Sequence, residues 1–148
     1  MTTQLNIERV YIKDISFESP QAPMIFTEQW KPKVKLDLNT STRVLQDDRY
    51  EVDLRITVTT ETEAEVTSMI VEVTQSGVFM ISGFEEDQLK QLLATMCPNI
   101  LFPYAREQID SLMMKGGFPP IHLAPVNFDA VFAQALQAEA EKGDAEAH

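Results

Sequence analysis

The sequence predicts an α+β domain: a four-stranded antiparallel sheet with helices packed on one face. Residues up to about Phe79 alternate apolar and polar side chains with period two, whereas apolar side chains from about Leu89 onward recur at helical spacing. Prolines concentrate in two further stretches, Glu18 to Lys33 and Phe118 to Val126, and mark both as ordered loops, because proline cannot donate to a ladder.

The first strand is expected over roughly Asn6 to Phe17. The loop that follows holds Pro20, Pro23 and Pro32, yet also carries Met24, Ile25, Phe26 and Trp30. Long loops within compact domains are often functional. In the second strand Val34, Leu36 and Leu38 oppose Lys35 and Asp37. In the third, Tyr50, Val52, Leu54, Ile56 and Val58 oppose Glu51, Asp53, Arg55 and Thr57, the pattern of a half-buried strand. Leu45 to Arg49 supplies the polar turn between these two, and the acidic turn Glu61 to Glu65 leads into a run from Val66 to Phe79. Short links among the last three strands imply a meander.

The helical half starts with Ser82 and Glu85, spaced as a capping box ahead of Leu89, Leu92, Leu93 and Met96. Pro98 is expected to end this short helix, and a longer one runs to about Lys115, stopped by Gly116 and Gly117. Wound at roughly 100° per residue, the longer helix gathers Phe102, Ala105, Ile109, Leu112 and Met113 on one face. Leu101 and Tyr104 widen that face to about half the circumference, more than the stripe a single-layer domain needs to bury. The helix therefore reads as wedged between its own sheet and another copy, with Leu101, Tyr104, Ile109 and Leu112 at the oligomer interface. After the second proline loop, Asn127 can cap a last helix to Lys142, with Gly143 beyond it. Residues 1–136 form one domain, and the Ala/Glu-rich residues 137–148 read as an acidic, solvated tail.

The chain has 148 residues, enough for a real core, and 44% of them are apolar, as in a globular protein. No apolar run reaches the roughly 18 residues of a membrane span, and MTTQLNIERV lacks a basic-then-apolar signal pattern. A single cysteine cannot form an internal disulfide and fits a reducing cytoplasm. Against 12 basic residues stand 23 acidic ones, a net charge of −11. Nucleic acids and anionic membranes demand cationic surface, so a basic protein partner is favoured over both. Cys97 and His122 are the only thiol and the only non-terminal imidazole, and nothing in the sequence supplies the third group that would orient a Cys/His pair. The acids lack metal-ligand spacing, and Gly116-Gly117 follows a helix where a phosphate loop would precede one. No catalytic residue, metal or cofactor is expected.

Two surfaces remain. Asp14, Ser16 and Glu18 share one side of the first strand, while Ile70 and Glu72 point outward from the last. An aliphatic anchor ringed by acids makes a docking patch, with a solvated face and one stray isoleucine as the plainer alternative. Met24, Phe26 and Trp30 of the first loop, with Phe118, Ile121, Leu123 and Phe128 in and just after the second, can line a groove for unfolded polypeptide. Aromatic and methionine side chains accept many partner shapes. Loops that simply roof the core are the alternative here.

Four strings in collinear order are specific: YIKDISFESP (Tyr11 to Pro20), WKPKVKLDL (Trp30 to Leu38), CPNILFPYARE (Cys97 to Glu107) and LAPVNFDA (Leu123 to Ala130). Together they resemble the SecB family of bacterial protein-export chaperones, over about Ile7 to Gln134. The resemblance implies a cytoplasmic homotetramer, a dimer of dimers, that holds unfolded preproteins in grooves of this composition. It also implies docking of the SecA translocation ATPase, whose small C-terminal zinc domain is basic, at Asp14, Glu18, Ile70 and Glu72. Ile70 stands where a leucine is usual. The expected activity is that of an ATP-independent holdase. Its rivals are an acidic scaffold that binds one folded basic partner, and a small-molecule enzyme that uses Cys97 or His122.

Overall fold

The computed structural model describes residues 2–147. Strands β1 (Gln4–Glu18), β2 (Lys33–Val44), β3 (Arg49–Glu61) and β4 (Thr67–Ser82) form one antiparallel sheet in the order β1-β4-β3-β2. The last three strands form the expected meander. β1 does not continue it: the chain leaves β1 through residues 19–32, which contain one 3-10 turn at Met24–Thr27, and enters the opposite edge as β2.

Two register shifts interrupt β1, one at Glu8 and one at Lys13, each adding a residue without a partner on β4. They decide which side chains face the core. Leu5 and Ile7 lie opposite Ile81 and Phe79, Val10 and Ile12 opposite Gly77 and Gln75, and Ile15 and Phe17 opposite Val73 and Val71. Directly opposed residues share a face, so all six apolar side chains of β1 lie on one side. The bulged residues send their charges to the other side: Glu8 accepts from Arg49 Nε at 2.9 Å, and Lys13 Nζ donates to Glu51 at 2.8 Å.

Helices α1 (Glu86–Ala94), α2 (Met96–Lys115) and α3 (Phe128–Ala147) complete the fold. The capping box of α1 joins Glu85 and Gln88 rather than Ser82 and Glu85, because Ser82 is the last residue of β4 and pairs with Gln4. The break before α2 falls at Thr95, not Pro98. The Thr95 hydroxyl donates back to the Gln91 carbonyl at 2.7 Å, and Pro98 sits in the first turn of α2, where a missing N–H costs nothing.

The core lies between α2 and the inner face of β3 and β4. Val52, Leu54, Ile56 and Val58 from β3 and Met69, Val71, Val73 and Phe79 from β4 meet Leu101, Phe102, Ala105, Ile109 and Met113 from α2. Leu101 and Ile109 have no exposed surface, so they belong to this core and not to an interface between copies. The inner sheet face is wide enough to take more of the helix than a narrow stripe. Of the four residues expected at that interface, Tyr104 and Leu112 keep surface. Asn127 caps α3, its Oδ1 accepting from the Ala130 N–H at 3.0 Å. The helix runs through Gly143 to Ala147 instead of ending at Lys142. Phe128 fastens α3 to α2 by meeting Phe102 edge-on at 6.3 Å.

Candidate functional site

The outer face of the sheet, opposite α2, brings together the four residues of the expected docking patch. Ile70 lies between Glu18 on β1 and Thr59 on β3, Glu72 between Ser16 and Thr57, and Thr74 between Asp14 and Arg55. Asp14 and Glu18 are exposed, and Ile70 and Glu72 are half-buried. One neighbour went unforeseen: Arg55 Nε reaches Glu72 Oε1 at 3.3 Å, a pairing set by strand register and not visible in either strand alone. Asp14 and Glu18 have no cationic partner among the described residues. Their charge stays available to a partner.

Farther along the same face the acids are internally satisfied. Lys13 Nζ contacts Glu51 at 2.8 Å and Asp53 at 3.4 Å, Ser76 donates to Asp53 at 2.6 Å, and the Tyr11 hydroxyl donates to Glu51. Hydrogen bonds from Lys13 and then from Tyr11 hold the Glu51 carboxyl below its ordinary range. Burial, reinforced by the Glu51 carboxylate, pushes the Tyr11 hydroxyl up to about 12. This part of the face is a rigid polar lattice with little charge to offer.

The two proline loops meet around Phe118, whose ring lies 5.4 Å from those of Phe26 and Trp30 and 6.3 Å from that of Phe17. Two glycines permit the approach. A Cβ on Gly116 would collide with the Phe17 ring, and Gly117, at φ +87°, has the Phe26 ring 3.1 Å from where a Cβ would stand. The predicted groove residues then divide. Met24 (68% exposed) and Phe26 (50%) lie open, while Trp30 and Ile121 are half-buried. Phe118, Leu123 and Phe128 are buried: the first is the floor of the cluster, and the other two belong to the core under the loop and offer nothing to a ligand.

A groove of about 490 Å³ opens between the first loop and the β3–β4 turn. Gln21, Met24, Ile25, Trp30 and Val66 line it, with Glu28 and Glu63 also on its walls. Sequence reasoning missed Val66 and these acids, since the turn and the loop are brought together only by the crossing of β1 to the far edge. Beyond Pro32, β2 continues the apolar surface with Val34 and Leu36, both exposed.

A third region lies between β1 and α2, where Val10, Ile12, Pro103 and Tyr104 border an open depression of about 550 Å³. Gln75 reaches into it. Its amide donates to the Tyr11 carbonyl at 3.0 Å, and its own carbonyl oxygen is buried with no partner. Exposed Ile7, Ile12 and Ile15 line the adjoining edge.

Neither residue of a Cys/His enzyme is placed for catalysis. Cys97 is sealed in the core, where burial pushes its thiol to about 12, far from the thiolate a nucleophile requires. His122 lies on the surface, its ring engaged by Asp110 at 3.0 Å. Among the described residues no cluster of His, Cys, Asp and Glu is arranged to hold a metal ion. Nor, among the described residues, is any helix long and apolar enough to cross a membrane.

Comparison with known proteins places the chain by family and by fold. The family model for the preprotein translocase subunit SecB matches residues 1–139. The protein-export protein SecB of Marinobacter nauticus is 56% identical over 144 residues, covering 97% of this chain and 87% of that protein. In fold, the chain is similar to the SecB-like chaperone Rv1957 of Mycobacterium tuberculosis, solved in complex with a ChAD peptide from the HigA1 antitoxin. That likeness has a TM-score of 0.64 at 18% identity and covers 82% of this chain and 90% of the other. With the family model matched over the whole sheet, α1, α2 and the first half of α3, this chain belongs to the SecB family and is a protein-export chaperone.

Proposed function

We propose that the chain is an ATP-independent holdase of the bacterial cytoplasm that binds unfolded preproteins and passes them to the SecA translocation ATPase. The observation that carries this reading is the separation of two surfaces. Asp14, Glu18, Ile70 and Glu72 stand together on the outer sheet face. Met24, Phe26, Trp30 and Ile121 surround a cluster built from the two loops. A client can stay bound while SecA docks. Clients contact the loops and the exposed strip of β2 through many weak apolar contacts. Binding the unfolded state preferentially shifts the folding equilibrium by mass action, so no nucleotide is needed. Ile70 anchors SecA, and the unpaired acids steer its basic zinc domain.

The same chain assembles as a dimer of dimers. Tyr104, Leu112 and the isoleucines of β1 supply the apolar contact.

Refolding of a slow-folding preprotein, followed with and without nucleotide while light scattering gives the mass, tests the proposal. A tetramer that delays refolding without nucleotide is expected. A monomer that leaves refolding untouched would refute both the assembly and the holdase reading.

A further inference from the structure

Among the described residues, hydrogen bonds tie the second loop to the body of the protein at one point, His122. Pro119, Pro120 and Pro125 have no N–H to give. Among the described residues the stretch 119–126 makes no backbone–backbone hydrogen bond. Its hydrogen bonds both come from His122 and both go to Asp110 on α2: the backbone N–H donates to Oδ1 at 3.1 Å, and ring Nδ1 lies 3.0 Å from Oδ2. The two partners differ in exposure. The Asp110 side chain is 15% exposed and the His122 side chain 75%, so a carboxylate fixed in the helix wall grips a residue on the surface. His122 also has φ +55°, a conformation that a residue with a side chain seldom adopts without compensation. The two-point grip supplies it.

What the grip positions lies on either side of His122. On one side Phe118 forms the floor under Phe26 and Trp30, and on the other Leu123 plugs the core. Ile121, adjacent to the gripped residue, is half-buried at the loop surface. We infer that Asp110 is a positioning residue for client binding: by clasping His122 through its backbone and ring together, it sets where the 119–126 loop, and with it the aromatic floor, stands. Its functional consequence rests on the client-groove reading given above, but the clasp itself can be tested without it. Asp110 lies on α2, on the opposite side of the sheet from Ile70 and Glu72, so its loss should leave the docking patch intact.

Asp110→Ala removes both contacts. Asp110→Asn keeps a carbonyl acceptor for the backbone N–H in nearly the same volume. His122→Asn keeps the N–H bond and a residue type that tolerates positive φ, losing only the ring contact. Three readouts separate these cases. Hydrogen exchange at the His122 amide reports the clasp. Trp30, the single tryptophan, reports the floor through its emission, because its ring packs against Phe118 at 5.4 Å. Release of a fluorescent unfolded preprotein reports function. Asp110→Ala should speed exchange at residue 122 and client release each by about tenfold and shift Trp30 emission to the red, as loss of a charge-assisted bond implies. Asp110→Asn and His122→Asn should fall between it and the wild type, with far-UV circular dichroism and SecA affinity unchanged in all three. If exchange at residue 122 is the same in wild type, Asp110→Ala and Asp110→Asn, the clasp does not exist and the inference is overturned. If exchange quickens but client release does not, the clasp is real and the positioning role is overturned. A wild-type protein that binds no unfolded chain would instead overturn the client reading, with amide exchange and Trp30 emission still deciding the clasp.

Discussion

The outer sheet face and the loop cluster solve opposite problems with opposite construction. On the sheet face every side chain is placed by a ladder: three strands in register set Glu18 beside Ile70 and Ser16 beside Glu72, and the polar lattice around Glu51 ties β1 to β3 through side chains as well. The cluster is built from chain that lacks such ladders, held by aromatic packing and one carboxylate. A face built from ladders presents one fixed pattern, which suits a folded partner that must be recognised by charge position. Loops held by non-directional ring contacts can shift slightly without losing their hold, which suits chains of many sequences. On the proposed function, the contrast teaches that specificity and tolerance can coexist in one small domain when each has its own kind of scaffold.

The sharpest way to break this contrast is at Ile70 and Glu72. Ile70→Ala combined with Glu72→Lys removes the anchor and reverses a charge, and should weaken SecA binding by about a hundredfold, as loss of an interface hot spot does. Client affinity, measured by fluorescence anisotropy on the same preparation, should be unchanged; if both fall together, the two surfaces are one. A smaller effect is expected from Trp30→Ala, about tenfold weaker client binding with SecA affinity intact, the loss of one large apolar contact area. Unchanged client affinity would make Trp30 a packing residue only.

The smallest effect tests the rigidity of the sheet face. Glu51 has its folded-state pKa lowered by Lys13 and Tyr11, so its contribution to stability is present above its ordinary carboxylate range and is lost as pH falls through the lowered value. Thermal unfolding scanned downward from about pH 5.5 should therefore lose stability more steeply in wild type than in Glu51→Gln, since carboxylates ordinarily titrate near pH 4.3. Parallel curves would mean that the lattice contributes nothing measurable.

Much of this arrangement was legible in the residues, and the failures have physical causes. Period-two alternation located β2, β3 and β4, and helical spacing located α2, because both patterns are written by burial on one side. Asn127 was found as a cap from its type and place. β1 was found as a strand, but its place beside β4 and its two bulges were not: its apolar residues fall in pairs whose spacing makes sense only against β4. Leu101 and Ile109 were given to an interface because the width of the inner sheet face is a tertiary quantity. Leu123 and Phe128 looked like groove residues for the same reason, since an apolar residue in a proline loop gives no sign of which way it faces. The outward side of Asp14, Glu18, Ile70 and Glu72 was legible from alternation and their docking role only from the family resemblance, whereas Arg55 beside Glu72 required the register.

The bulges at Glu8 and Lys13 have one more consequence, which concerns length. In a regular strand, deleting one residue turns every side chain beyond it to the wrong side. In β1 the residue lost at Lys13 would be the surplus one. Val10, Ile12, Ile15 and Phe17 would then alternate without interruption and still face α2. Glu8 stands in the same relation to Leu5 and Ile7 on one side and Val10 on the other. The strand thus contains two expansion joints, places where the chain can shorten by a residue while the buried side of the protein keeps its composition.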